Sequence, residues 1–218
     1  MQKVLEVTYP EVRDFADAMG ALEKAAVAHA NDLGVGFDTM LGDYNVLWMI
    51  ARSRVHLDRL PRGEVRVRTW LRSPRAAMSI RDYALLDGEE EIGYGLQYWV
   101  LADAEKRNIV NMKNIPPIWE APHVLPERKE LLRRLKMPEL QPVGKWQVSK
   151  EELDKNGHLN NVYYVRHGEA YAPEAARTLD ISFEHECFCG ENISLEAADG
   201  FVQGVKENGE ISFFSRFY

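Results

Sequence analysis

Apolar and polar positions change their period several times along the chain. Residues 3–10, KVLEVTYP, alternate as a short strand does. Residues 11–34 then carry small side chains and Leu22 at helical spacing, with Gly34 to end the run. NVLWMIARSRVHL, GEVRVRTWLRSPR, AMSIRDYALLDGE and EIGYGLQYWVLADAE follow, with β-branched and aromatic residues alternating with polar ones and Pro-Arg-Gly or Asp-Gly at the breaks. This reads as one helix followed by an antiparallel meander.

Between residues 114 and 142 prolines alternate with a short charged run, ERKELLRRLK, which predicts a surface-packed linker holding a short helix. The first pattern then recurs. KWQVSKEEL reads as a strand, NNVYYVRHGEAYA as a helix, and TLDISFEHECFC, NISLEAADG, FVQGVKENG and EISFFSRFY as strands. An ungapped offset of 140 residues lays Asp14 on Asp154, Ala16 on Asn156, Ala18 on His158 and helix 21–32 on helix 161–172. The expectation is a duplicated unit whose first copy is chemically blank. Periodicity alone supports an α+β class with antiparallel sheets.

Composition narrows the function classes. The 218 residues carry a formal charge of −7 and are 45% hydrophobic, enough for a substantial core and unlike a general binder of nucleic acid or anionic membrane. Cys187 and Cys189, the only cysteines, are one residue apart, too close to close a useful loop and too few for a structural zinc site. No apolar run approaches the roughly 18 to 20 residues of a membrane span, and MQKVLEVTYP lacks a signal-peptide pattern. These features predict a cytoplasmic protein without a metal.

The densest chemistry lies in ELDKNGHLNNVYYV, where Asp154, Asn156, His158, Asn160 and Asn161 fall within eight positions. Spacing alone favours a polar turn with an Asn helix cap. Three ordered stretches add to it: residues 45–70, NVLWMIARSRVHLDRLPRGEVRVRTW; residues 93–112, GYGLQYWVLADAEKRNIVNM; and ELDKNGHLNNVYYV followed by FEHECFCG. Together they resemble the acyl-acyl carrier protein thioesterases, and the resemblance covers most of the chain in order.

That resemblance implies a tandem double hot-dog, each half an antiparallel sheet wrapped around a central helix. It implies an acyl-binding, catalytically blank half over residues 1–115, a linker over 116–141 and a catalytic half over 142–218. It places the catalytic groups on Asp154, Asn156, His158 and Glu186, with Cys187 as a less favoured nucleophile, and needs no cofactor. Asn160, Asn161, Trp48 and Met49 are the expected substrate contacts. Trp70, Tyr83, Tyr98 and Trp99 read as core. The expected partner is acyl carrier protein bearing a 4′-phosphopantetheine-linked acyl chain, received by Arg- and Lys-rich stretches such as 52–75 or ERKELLRRLK. A homodimer stays among the assembly states. The chain lacks the plant members' N-terminal extension, pointing to a bacterial-type enzyme, and has Gly157 where a larger polar residue is common, which loosens the loop if glycine's backbone freedom is used.

The residue types suit thioester hydrolysis, which needs an activated water or nucleophile and donors aimed at the developing oxyanion. Asn156 can hold water or carbonyl, His158 can move a proton, and Asp154 can orient either. The N-terminus of the following helix offers unpaired N–H groups. Strict alternation in ISFEHECFC would put Ile181, Phe183, His185, Cys187 and Cys189 on one face and Ser182, Glu184 and Glu186 on the other. Glu186 then serves as general base on water, Cys187 is a buried structural thiol, and Glu184 is the decoy. His167 and His185 read as structural. The alternatives are hydrolysis of acyl-coenzyme A and a non-catalytic acyl-binding protein. A hot-dog dehydratase would need a His followed by a Phe-Pro-rich stretch, which is absent.

Overall fold

The computed structural model describes residues 1–75, 77–125 and 128–218. In chain order its main elements are β1 (Val4–Tyr9), α1 (Phe15–Asp32), α2 (Phe37–Tyr44), β2 (Val46–Leu57), β3 (Val65–Leu71), β4 (Ser79–Asp87), β5 (Glu90–Asp103), α3 (Pro116–Glu120), β6 (Gln141–Gln147), α4 (Asn161–Glu169), β7 (Thr178–Phe183), β8 (Asn192–Ala198), β9 (Phe201–Lys206) and β10 (Ile211–Phe217). The strands form one sheet in the order β1-β3-β4-β5-β2-β7-β10-β9-β8-β6. Read inward from its own edge, each half has the same order of first, third, fourth, fifth and second strand. The halves meet where β2 pairs antiparallel with β7, from Arg52 opposite Ser182 to His56 opposite Thr178. This is the α+β double hot-dog, with α1 and α4 as its two central helices.

Asp14 starts α1 by accepting the Asp17 N–H at 2.7 Å, and Gly34 takes a φ of +70° just past its end. Ala16, Met19, Leu22 and Ala26 are buried on its inner face. The two helices run antiparallel. Glu169 of α4 accepts the Ala16 N–H at 3.1 Å, Arg166 reaches Asp14 and Asp17 at 3.0 and 2.9 Å, and Gly20 lets α1 approach Val162. One turn further along α1, this register brings Glu23 to the N-terminus of α4.

Several expectations change. The short helix α2 lay unread between Gly34 and residue 45; it ends where Asn45 adopts φ +53°. The meander holds for β3, β4 and β5, but β2 crosses to the far side of β5 and joins the halves. Of the expected helix ERKELLRRLK, Glu127 lies outside the described residues and the rest is not helical. Extended there, the chain buries Leu132 against Ile80, Leu96 and Tyr98, while Arg54 and Arg72 bind the Glu130 carboxylate and carbonyl at 2.9 Å. Tertiary contacts with the outer face of the sheet outweigh helix propensity.

The ungapped offset also shifts. Strand and helix are joined by residues 10–14 in the first half and by 148–160 in the second, so Asp14 corresponds to Asn160, both helix caps, and not to Asp154. The polar loop is an insertion in the second half. Ala16 and Ala18 belong to α1 and are not its eroded counterparts.

Candidate active site

Asp154 organises the inserted loop. Its Oδ1 accepts the N–H of Asn156 at 2.8 Å and of His158 at 3.1 Å, and its Oδ2 accepts the Asn156 side-chain amide at 3.2 Å. Its own N–H donates to the His158 carbonyl at 2.7 Å, closing a tight turn in which Gly157 sits at φ +80°. Gly157 therefore fits a left-handed position that most residues resist, and the loop is pinned, not loosened. With its Nδ2 held by Asp154, Asn156 keeps its amide oxygen as an acceptor.

Glu186 reaches the same place by a route that strand alternation misses. β7 ends at Phe183, and the N–H groups of Glu184 and His185 both donate to the Ser212 carbonyl, at 2.9 and 3.2 Å. This irregularity turns the chain out of the sheet. The expected two-face pattern through Cys189 is thus broken, and Cys189 is exposed. The departing segment docks on the loop: the Cys187 N–H donates to Tyr164 Oη at 3.1 Å, the Leu159 N–H to the Cys187 carbonyl at 2.8 Å, and Lys206 Nζ to the Glu186 carbonyl at 2.9 Å. Glu186 Oε1 ends 3.1 Å from His158 Nδ1, while Cys187 is fully buried and its thiol pKa is pushed up chiefly by that burial.

A cleft of about 430 Å³ is lined by Asp154, Asn156, His158, Asn160, Asn161, Glu186, Trp48 and Met49, so every sequence-designated polar residue and both apolar ones meet there. Glu184 also borders it but is exposed. The Asn160 side-chain oxygen accepts the Val162 N–H at 2.9 Å, which makes it chiefly a helix cap. Tyr163 donates to the Asn160 carbonyl, leaving the Asn161 N–H as the first-turn donor with no partner among the described residues. His167 is structural, bonded to Glu152 at 2.6 Å and stacked on Trp146; His185 bonds the Ile211 carbonyl at 2.8 Å.

Two residues of the first half were missed. Arg107, at the end of the β5 hairpin with φ +58°, places its guanidinium 3.4 Å from Glu186 and 3.5 Å from His158 Nε2. Glu23 on α1 also lines the cleft. Neither carries a local signal, because the contacts come from the other half of the chain.

An apolar pocket of about 370 Å³ adjoins the cleft and shares Val27, Trp48, Trp99 and Lys155 with it. α1 continues its wall through Ala26 and Ala30, joined by Ile118 of α3 and by Ala121 just past it. Among the described residues no group of His, Cys, Asp and Glu is placed to hold a metal ion, and no helix is long and apolar enough to cross a membrane.

A polar cleft opening into an apolar pocket is thus carried on paired hot-dog halves. Comparison with known proteins gives the chain its family. The model of the acyl-ACP thioesterase N-terminal domain matches residues 7–115, half of the chain, and the chain belongs to the acyl-ACP thioesterase family, which makes it a thioester hydrolase. An acyl-ACP thioesterase from Bacteroides thetaiotaomicron superposes with a TM-score of 0.88 at 22% identity, covering 99% of this chain and 97% of that one. A 12:0-ACP thioesterase from Umbellularia californica gives 0.77 at 17% identity, covering 100% and 97%. At these identities the superpositions speak for the fold. No curated protein matches by sequence.

Proposed function

We propose that the cleft hydrolyses fatty acyl-acyl carrier protein by direct attack of water activated by Glu186. The observation that carries this reading is the His158–Glu186 contact at 3.1 Å beside the amide of Asn156, at the mouth of the apolar pocket. Asn156 accepts a hydrogen bond from the water, and Glu186 takes the water's proton as its oxygen attacks the carbonyl carbon. Charge moves to the carbonyl oxygen, which the Asn161 N–H at the α4 terminus faces favourably. Collapse breaks the C–S bond, the carrier's sulfur leaves with the electron pair and takes the proton held by Glu186, and Glu186 returns to its carboxylate form. His158, held by Glu186 and Arg107, keeps the base in place. Cys187 is buried and tied to Tyr164, which disfavours an acyl-enzyme.

The acyl chain lies in the apolar pocket of the first half, and residues 142–218 carry the chemistry. Arg107 and Lys155 at the cleft suit an acidic carrier in the cytoplasm. Paired assays on dodecanoyl-acyl carrier protein and dodecanoyl-coenzyme A test the reading. The expected result is a higher kcat/KM on the carrier-bound chain; preference for coenzyme A overturns the carrier, and loss of neither activity in Glu186→Ala overturns the mechanism.

A further inference from the structure

The mechanism above leaves two carboxyls of the cleft unused, the exposed Glu184 and Glu23. Glu23 sits on α1 where that helix passes the N-terminus of α4, and it borders the same cleft as Asp154, Asn156, His158 and Glu186. Its Oε1 is sealed from solvent and has no hydrogen-bond partner among the described residues. A buried polar atom left unpaired is costly, so its position calls for a partner that arrives with the substrate. Val27, one turn further along α1, borders both the cleft and the apolar pocket, which places Glu23 at the junction where the head of a bound acyl chain lies.

We propose that Glu23 is a further catalytic residue, whose Oε1–H donates a hydrogen bond to the thioester carbonyl oxygen and stabilises the oxyanion together with the Asn161 N–H. The inference deepens the hydrolytic reading and rests on it. The neutral acid is the competent form, because an ionised carboxylate would only accept and would repel the oxyanion.

The surroundings favour that form. Burial and the Asp154 charge push the Glu23 pKa up to about 7 against the opposing pull of the Asn161 side chain. Tyr83 of β4 is the other titratable neighbour beneath it, and burial keeps that phenol neutral. Across the cleft stand Lys155 and His158 of the loop, Glu184, His185 and Glu186 after β7, and Arg107 of the first half. The donor is present below pH about 7 and is lost as pH rises through that value.

The test is the pH profile of kcat on dodecanoyl-acyl carrier protein for wild type, Glu23→Gln and Glu23→Leu. Glutamine keeps a donor and cannot ionise. Its rate at pH about 6 should stay within a few-fold of wild type, and the alkaline limb near pH 7 should move up by about one unit or more. Glu23→Leu should lose about 10²-fold in kcat at pH 6 with little change in KM. An unmoved alkaline limb in Glu23→Gln overturns the proposal even if Glu23→Leu does not fold. Full activity in Glu23→Leu overturns it as well. Failure of the hydrolytic reading is distinct, since wild type itself would then release no thiol from this substrate.

Discussion

His158 Nδ1 lies 3.1 Å from Glu186 Oε1, a contact between the inserted loop and the segment that leaves the sheet after β7. Each side chain depends on the other for its orientation, so the pair should act as a unit. His158→Ala and Glu186→Ala are each expected to lower kcat by about 10²–10⁴-fold. The double variant should fall little further, because removing either partner already dissolves the arrangement. Steady-state kinetics on all three proteins measures the coupling, and simple multiplication of the two effects would mean that they work independently.

Cys187 should be dispensable for hydrolysis. Its side chain is fully buried, and burial raises the thiol above its ordinary range, leaving little thiolate to attack. Cys187→Ala should keep kcat within a few-fold of wild type and cost about 1 kcal/mol of stability for the lost contacts. A hundredfold fall in kcat with a normal melting temperature would restore the thiol as nucleophile.

Gly157 occupies φ +80°, with nothing near the position that a Cβ would take. The obstacle to a side chain is therefore backbone strain and not space. Gly157→Ala should cost about 1–2 kcal/mol, concentrated in the loop, and reduce kcat more than KM. Gly157→Asn should be milder, because asparagine tolerates the left-handed region. Equal effects of the two substitutions would point to a cause other than φ.

Arg72 and Asp82 form a buried two-pronged ion pair, with both contacts at 2.6 Å. Asp82→Ala leaves a buried guanidinium without its counter-ion and should destabilise the fold by about 3–5 kcal/mol. Replacing both by apolar residues, Arg72→Met with Asp82→Leu, should recover much of that loss. Urea unfolding with an unchanged slope is the appropriate measurement.

Glu169 links pH to stability. Burial and the nearby Asp14 push its pKa up to about 7 from 4.5, so the folded chain holds a proton there that the unfolded chain has released. Its contribution to stability therefore declines as pH rises from about 4.5 to 7. Glu169→Gln should flatten that decline, by an amount on the order of 1 kcal/mol or more. Glu23 shares the sign, so a residual slope should persist. Melting curves across this range decide it, and an unchanged slope in Glu169→Gln would show that Glu169 is not its source.

Local signals carried much of the fold. The small-residue face of α1, its Gly34 end and the alternating strands were legible because each reflects a period or a cap within one element, whereas the expected helix began at residue 11 and the Asp14 cap went unread. The position of β2 between β5 and β7 was not legible, since pairing across such distances leaves no mark in a short window. The short α2, with Asp38, Thr39, Gly42 and Asp43 among its eight residues, lacks a clear apolar stripe.

At the site, the compact group Asp154, Asn156 and His158 was readable because one turn holds all three. Glu186 was found by resemblance, whereas the alternation used to orient it failed beyond Phe183, where two N–H groups share the Ser212 carbonyl. Glu23 and Arg107 were hidden for the opposite reason. Nothing next to them in sequence betrays that the antiparallel helices and a hairpin end carry them to the other half.

The β2–β7 seam has an evolutionary consequence. A sheet of the same design assembled from two identical chains would be forced to repeat every residue, with the same loop and the same helix on both sides. Joining the copies in one polypeptide lifts that symmetry. The link before the helix runs over residues 10–14 in one half and 148–160 in the other, and the apolar pocket lies beside the longer helix of the first. Each half of a fused chain can therefore differ in its loop and its helix without the other following.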